Sequence, residues 1–123
     1  MRVFVIEGGP LMLRHLRHML KRMDYQVMTA ETVETGLGIV RNWSPDAVVV
    51  DILMPDRDGL NFIMETRDLR ETMRVIAITG GGRLGPGPIL KMASGLGAHA
   101  TLTKPITEEA LKRRAIKVRT AMR

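Results

Sequence analysis

Four polar side chains close four apolar, strand-like runs: Glu7 after Val3 to Ile6, Asp51 after Val48 to Val50, Thr79 after Val75 to Ile78, and Lys104, followed by Pro105, after Ala100 to Thr103. Two acids, a hydroxyl and an ammonium at the carboxyl ends of different strands are the parts of a phosphoryl-accepting pocket. A carboxylate can attack phosphorus and hold the group as an acyl phosphate. Because the transferred group is rich in charge, the rest of such a site supplies position and positive charge. Asp51 is the candidate acceptor, delivered by Val48-Val49-Val50 to the proline-ended turn Ile52-Leu53-Met54-Pro55. Lys104 can pair with a phosphoryl oxygen. The Thr79 hydroxyl can donate to another, and a bond that exists only when the group is present can bias a loop between two states.

The elements that must gather these residues are legible as periodicities. Strand-like runs at Val3 to Ile6, Gln26 to Thr29, Ala47 to Val50, Val75 to Ile78 and Ala100 to Thr103 alternate with segments of helical period. That pattern predicts a single α/β domain over residues 1–123, with a doubly wound parallel sheet covered on both faces. In the order 2-1-3-4-5 the ligand crevice lies between strands one and three, which Glu7 and Asp51 terminate. Two carboxylates so close repel, and each needs a cation or a proton. A divalent ion and the Lys104 ammonium are the candidates.

Met12, Leu16, Met19, Leu20 and Met23 form the apolar stripe of the first helix, and Val33, Leu37 and Val40 that of the second. Gly36 and Gly38 should make the second helix the least stable, at about 1 kcal/mol each relative to alanine. Asp58 is placed to cap a third helix that turns Leu60, Ile63 and Met64 inward, and Thr107 to cap a last one with Leu111, Ala115, Val118 and Met122 on one stripe. Residues 80–88 hold five glycines and two prolines, which predicts a mobile loop followed by a short helix. No Walker pattern and no Gly-x-Gly-x-x-Gly after the first strand is present, so a nucleotide site is not expected.

A chain of 123 residues without cysteine can bury a core without disulfides or structural metal. It shows no secretory signal and no stretch long enough to span a bilayer, so the cytoplasm is the expected compartment and no membrane partner is expected. The net charge is +6, and six cations with no acid fall between Lys112 and Arg123. Without interleaved aromatics that stretch reads as a solvated helix face rather than a nucleic-acid contact. His15 and His18 lack a third metal ligand and read as surface residues, His99 has no evident partner, and Trp43 reads as packing.

At these residues the chain resembles the receiver domain of two-component response regulators, over essentially its whole length. Val48 to Leu60 is similar to the family's phosphoacceptor segment, and Thr79 and Thr103-Lys104-Pro105-Ile106 stand where its hydroxyl and Lys-Pro motifs are expected. The resemblance implies a flavodoxin-like five-stranded (βα)5 fold. It also implies that Asp51 takes phosphate from a histidine kinase or phosphotransfer protein, that Lys104 holds the group, and that Thr79 reads it and signals to a downstream protein. Such a chain is a self-phosphorylating acceptor at most, not a turnover enzyme. A cis peptide bond before Pro105 is also implied.

Two departures qualify the expectation. The family usually ends its first strand with two adjacent acids, whereas here Glu7 is followed by Gly8. Glu7, Asp51 and the main-chain carbonyl of Leu53 remain as Mg²⁺ ligands, and affinity for a hard cation falls with ligand charge. Weak or absent metal binding and slow phosphorylation are therefore expected. In place of the family's switch aromatic stands Thr101, too small for a large swing between buried and exposed positions. The alternative is a pseudo-receiver, a protein-binding module without efficient phosphorylation.

Overall fold

The structure is a computed structural model and describes residues 1–54, 59–80 and 85–121. Five strands, β1 (Arg2–Ile6), β2 (Gln26–Ala30), β3 (Ala47–Asp51), β4 (Arg74–Thr79) and β5 (Ala100–Thr103), alternate with helices α1 (Pro10–Arg22), α2 (Val33–Trp43), α3 (Gly59–Glu65), α4 (Pro86–Gly95) and α5 (Glu108–Thr120). All strand pairs are parallel, in the order β2-β1-β3-β4-β5. The expected doubly wound sheet is present.

The central strand explains why the sheet must be covered twice. Val48, Val49 and Val50 are fully buried, but successive strand side chains point to opposite faces. Val49 joins Leu16, Met19 and Leu20 of α1 and Leu111 and Val118 of α5 in one apolar layer. Val48 and Val50 join Val33 and Val40 of α2, Phe62 and Ile63 of α3 and Ala93 of α4 in the other. Each fully buried side chain of this size contributes about 1.5–3 kcal/mol. The register sets Ile6 beside Val50 and Asp51 beside Ile78, which aligns the carboxyl ends of the three strands.

Several local expectations change. In α3 the buried residues are Gly59, Phe62 and Ile63, followed by Thr66, an i, i+3, i+4, i+7 face. Because that stripe begins at the glycine, Leu60 is only half-buried and Met64 turns outward, 47% exposed. The helix after the glycine-rich segment is not short. It runs ten residues and begins at Pro86, where a missing N–H costs nothing. Gly36 in α2 is not a mere weakness either: a β-carbon there would lie 2.6 Å from Ile6 Cδ1, so its absence lets α2 approach β1. Thr107 caps α5 by accepting a hydrogen bond from Ala110 N at 3.1 Å. The expected Asp58 cap, the Met122 position and most of the expected mobile loop lie outside the described residues.

Candidate functional site

Glu7 follows the last residue of β1, and Asp51 and Thr79 are the last residues of β3 and β4. All three are buried, at 2%, 5% and 0% exposure. Parallel pairing places these ends side by side, and Lys104 reaches them from the segment after β5. Its backbone N–H donates to the Thr79 carbonyl at 2.8 Å, continuing the β4–β5 ladder by one residue. The Lys104-Pro105 bond is cis, as expected. Gly80 lies against the aliphatic stem of Lys104, whose Cδ would be in ordinary van der Waals contact, 3.7 Å, with a β-carbon at that position.

The ammonium closes the site. Lys104 Nζ donates to Glu7 Oε1 at 2.8 Å and Oε2 at 3.2 Å, and to Asp51 Oδ2 at 3.0 Å. The remaining carboxylate oxygen, Asp51 Oδ1, accepts from Leu53 N at 3.2 Å, and Glu7 Oε1 also takes a long bond of 3.4 Å from Gly9 N. Burial is the main cause that holds the Glu7 carboxyl above its ordinary value, helped by the neighbouring Asp51 and opposed by Lys104. For Lys104 burial alone would lower the value, but the bonds to Glu7 and Asp51 outweigh it and hold the ammonium above its ordinary value. The protonated lysine is thus the counter-ion that lets two buried acids stand together.

The expected Mg²⁺ ligands were Glu7, Asp51 and the Leu53 carbonyl. These are hard oxygen donors, but every carboxylate oxygen of the two acids is already hydrogen-bonded. No cluster of three or more acidic, histidine or cysteine side chains able to hold a metal occurs among the described residues. Glu7, Asp51 and the Leu53 carbonyl are donors of the kind a hard divalent ion takes, but at the oxygens of the two acids the ion would compete with Lys104. Gly8, half-buried beside Glu7, supplies no carboxylate to change that.

The structure also shows what the sequence reading missed. A β-carbon on Gly59 would lie 2.9 Å from Ile52 Cα and still closer to the Asp51 carbonyl oxygen, and Gly59 N donates to Ile52 O at 2.7 Å. The start of α3 is therefore pressed onto the backbone that carries Asp51. His99 has partners after all: its Nδ1 accepts from Val75 N at 3.1 Å and its Nε2 lies 3.0 Å from an Arg74 guanidinium nitrogen. Thr101 is half-buried in β5, and its carbonyl accepts from Arg114 Nε at 3.0 Å. Trp43 packs edge-on against Phe4, ring centroids 6.3 Å apart, under the Arg2 guanidinium. His15 and His18 are exposed.

Comparison with known proteins identifies the family and the fold. Residues 3–116 match the family described as response regulator receiver domain. Protein PilH of Pseudomonas aeruginosa is 30% identical over 121 residues, covering 89% of this chain and 90% of that protein. The virulence transcriptional regulatory protein PhoP of Salmonella typhimurium is 32% identical over 114 residues, covering 92% of this chain and 50% of PhoP. The chain spans only 24% of the transcriptional regulatory protein GlrR of Escherichia coli, to which it is 29% identical. Among solved structures, a receiver domain from Clostridium thermocellum superposes with a TM-score of 0.83 at 28% identity, covering 98% of this chain and 93% of that one. The CheY-like receiver domain of Methanospirillum hungatei superposes at 0.85 with 23% identity, covering 97% and 94%, which shows the shared fold.

Proposed function

Because this chain belongs to the response regulator receiver domain family, we propose that it accepts a phosphoryl group on Asp51 from a histidine kinase or phosphotransfer protein. The observation that carries this reading is the convergence of Glu7, Asp51 and Lys104 around one ammonium. Asp51 Oδ2 attacks the phosphorus of a phosphohistidine. The P–N bond breaks, a P–O bond forms, and the leaving imidazole takes a proton. In the product one phosphoryl oxygen replaces Asp51 Oδ2 as an acceptor for Lys104 Nζ, so the lysine follows the charge that it already neutralises. Thr79, at the adjacent strand end, donates to another oxygen. The protein is a stoichiometric acceptor rather than a turnover enzyme, and its output is a changed binding surface offered to a downstream protein.

One observation favours a second reading, a pseudo-receiver that binds protein without efficient phosphorylation: Lys104 already satisfies both acids, and Gly8 stands where the family carries an acid. Incubation with a small phosphodonor such as acetyl phosphate, with and without Mg²⁺, followed by intact mass measurement separates the two. A gain of one phosphoryl mass, lost in Asp51→Asn, supports acceptance. Absence of the adduct at saturating donor supports the binding module.

A further inference from the structure

We propose that the face formed by α1 and α5 binds the phosphate backbone of duplex nucleic acid. Helix α1 carries four cationic side chains and no acid, and α5 carries five against two acids, a surplus of seven where the whole chain has six. The charges of the remaining chain nearly cancel, so the protein's positive excess is carried by these two helices. Both helices cover the same side of the sheet, and Arg22 Nε reaches across to Glu108 Oε1 at 3.1 Å. Between them lies a groove of about 310 Å³ whose charged lining is Arg22, Lys112 and Arg119 against Asp24 and Glu108. The carboxyl-terminal cations therefore extend a second basic ridge instead of forming an isolated tail.

The composition of the face selects the partner. Arg14, Arg17 and Lys21 on α1 and Lys112, Lys117 and Arg119 on α5 are all exposed. Neither helix contains an aromatic residue, and Tyr25 at the groove's edge is a single ring, too few for a run of stacked unpaired bases, whereas phosphate contacts require only cations. A protein interface of the usual kind has an aromatic or apolar centre depleted of lysine. On this face Leu11 and Ile116 are the large exposed apolar side chains, one on each helix. Contacts of this kind position without reading sequence, so binding is non-specific.

The test is fluorescence anisotropy with a labelled 20-base-pair duplex of arbitrary sequence, titrated at several salt concentrations. Binding at 50 mM salt should weaken steeply, with a log–log slope between about −3 and −6. The combined variant Arg17→Gln, Lys21→Gln, Lys112→Gln, Lys117→Gln should weaken binding at least tenfold and flatten the slope by about three. Arg67→Gln with Lys91→Gln, on the opposite layer, should leave affinity within twofold. Circular dichroism confirms that each variant is folded. The proposal is overturned by no salt-sensitive binding at low ionic strength, or by equal loss in the opposite-layer variant. It is equally overturned if polyglutamate or phosphatidylglycerol vesicles of matched charge compete as well as the duplex, which would assign the face to an acidic protein or a membrane.

Discussion

Lys104 Nζ stands 2.8 Å from Glu7 and 3.0 Å from Asp51, so one cation bridges two acids that would otherwise repel across the crevice between β1 and β3. Removing it should leave two buried negative charges without a counter-ion. Lys104→Met is expected to destabilise the protein by about 1–3 kcal/mol at pH 7, less than the full cost of a deeply buried pair because the lysine side chain is 23% exposed. The loss should shrink near pH 4.5, where a proton can replace the ammonium. Urea denaturation of both proteins at the two pH values measures it, and an equal loss at both would contradict the bridging role.

The Glu7 carboxyl gives a second test through linkage. Its value in the folded protein is raised, chiefly by burial, so the folded state holds more protons than the unfolded state once pH passes the ordinary value of 4.5. Stability from this group is complete below that value and is lost as pH rises through the raised one, at no more than about 1.4 kcal/mol per pH unit. Glu7→Gln removes the titration. The stability difference between wild type and Glu7→Gln should therefore drift against the wild type across that window and level off above it. A difference independent of pH would show that Glu7 is not held above its ordinary value.

Gly59→Ala probes the contact between α3 and the acceptor strand. The added methyl would press on Ile52 Cα and the Asp51 carbonyl, neither of which can yield as a side chain can. Overpacking of this kind costs about 1–3 kcal/mol, offset in part by alanine's better helix propensity, up to about 1 kcal/mol. Net destabilisation with a slowed phosphoryl adduct is expected. A stabilised variant with an unchanged adduct rate would show that the backbone gives way.

The frame of this site was legible because it rests on strand ends. β-Branched runs fix where strands stop, and parallel topology forces their carboxyl ends together, so Glu7, Asp51 and Lys104 met as the order of runs implied. What the sequence concealed depends on side-chain neighbours across the fold. Gly36 reads as a helix breaker until Ile6 is seen against it. Met64 reads as core until the buried stripe of α3 is seen to start at Gly59. His99 lacked a partner along the chain because Arg74 and Val75 lie on the neighbouring strand. The basic stretch of α5 reads as a solvated helix face by itself, because nothing in the linear order shows that α1 covers the same side of the sheet.

An acid placed beside Glu7 tests the expectation that Gly8 weakens the binding of a divalent ion. In the present arrangement Mg²⁺ must compete with Lys104 for oxygens that are already hydrogen-bonded, and Gly8 offers no carboxylate in compensation. Gly8→Asp adds one hard, charged ligand, and affinity for such cations rises with ligand charge. Mg²⁺ affinity measured by isothermal titration should increase about tenfold or more, equivalent to about 1.4 kcal/mol, and the phosphoryl adduct should form faster in the presence of the ion. Because the added acid also burdens the crevice with a third negative charge, the metal-free variant should be less stable than the wild type and should gain more stability from Mg²⁺. Unchanged affinity, with the variant shown to be folded, would mean that the lysine bridge and not the absent carboxylate excludes the ion. Lys104→Met in the same titration would then be the variant that binds it.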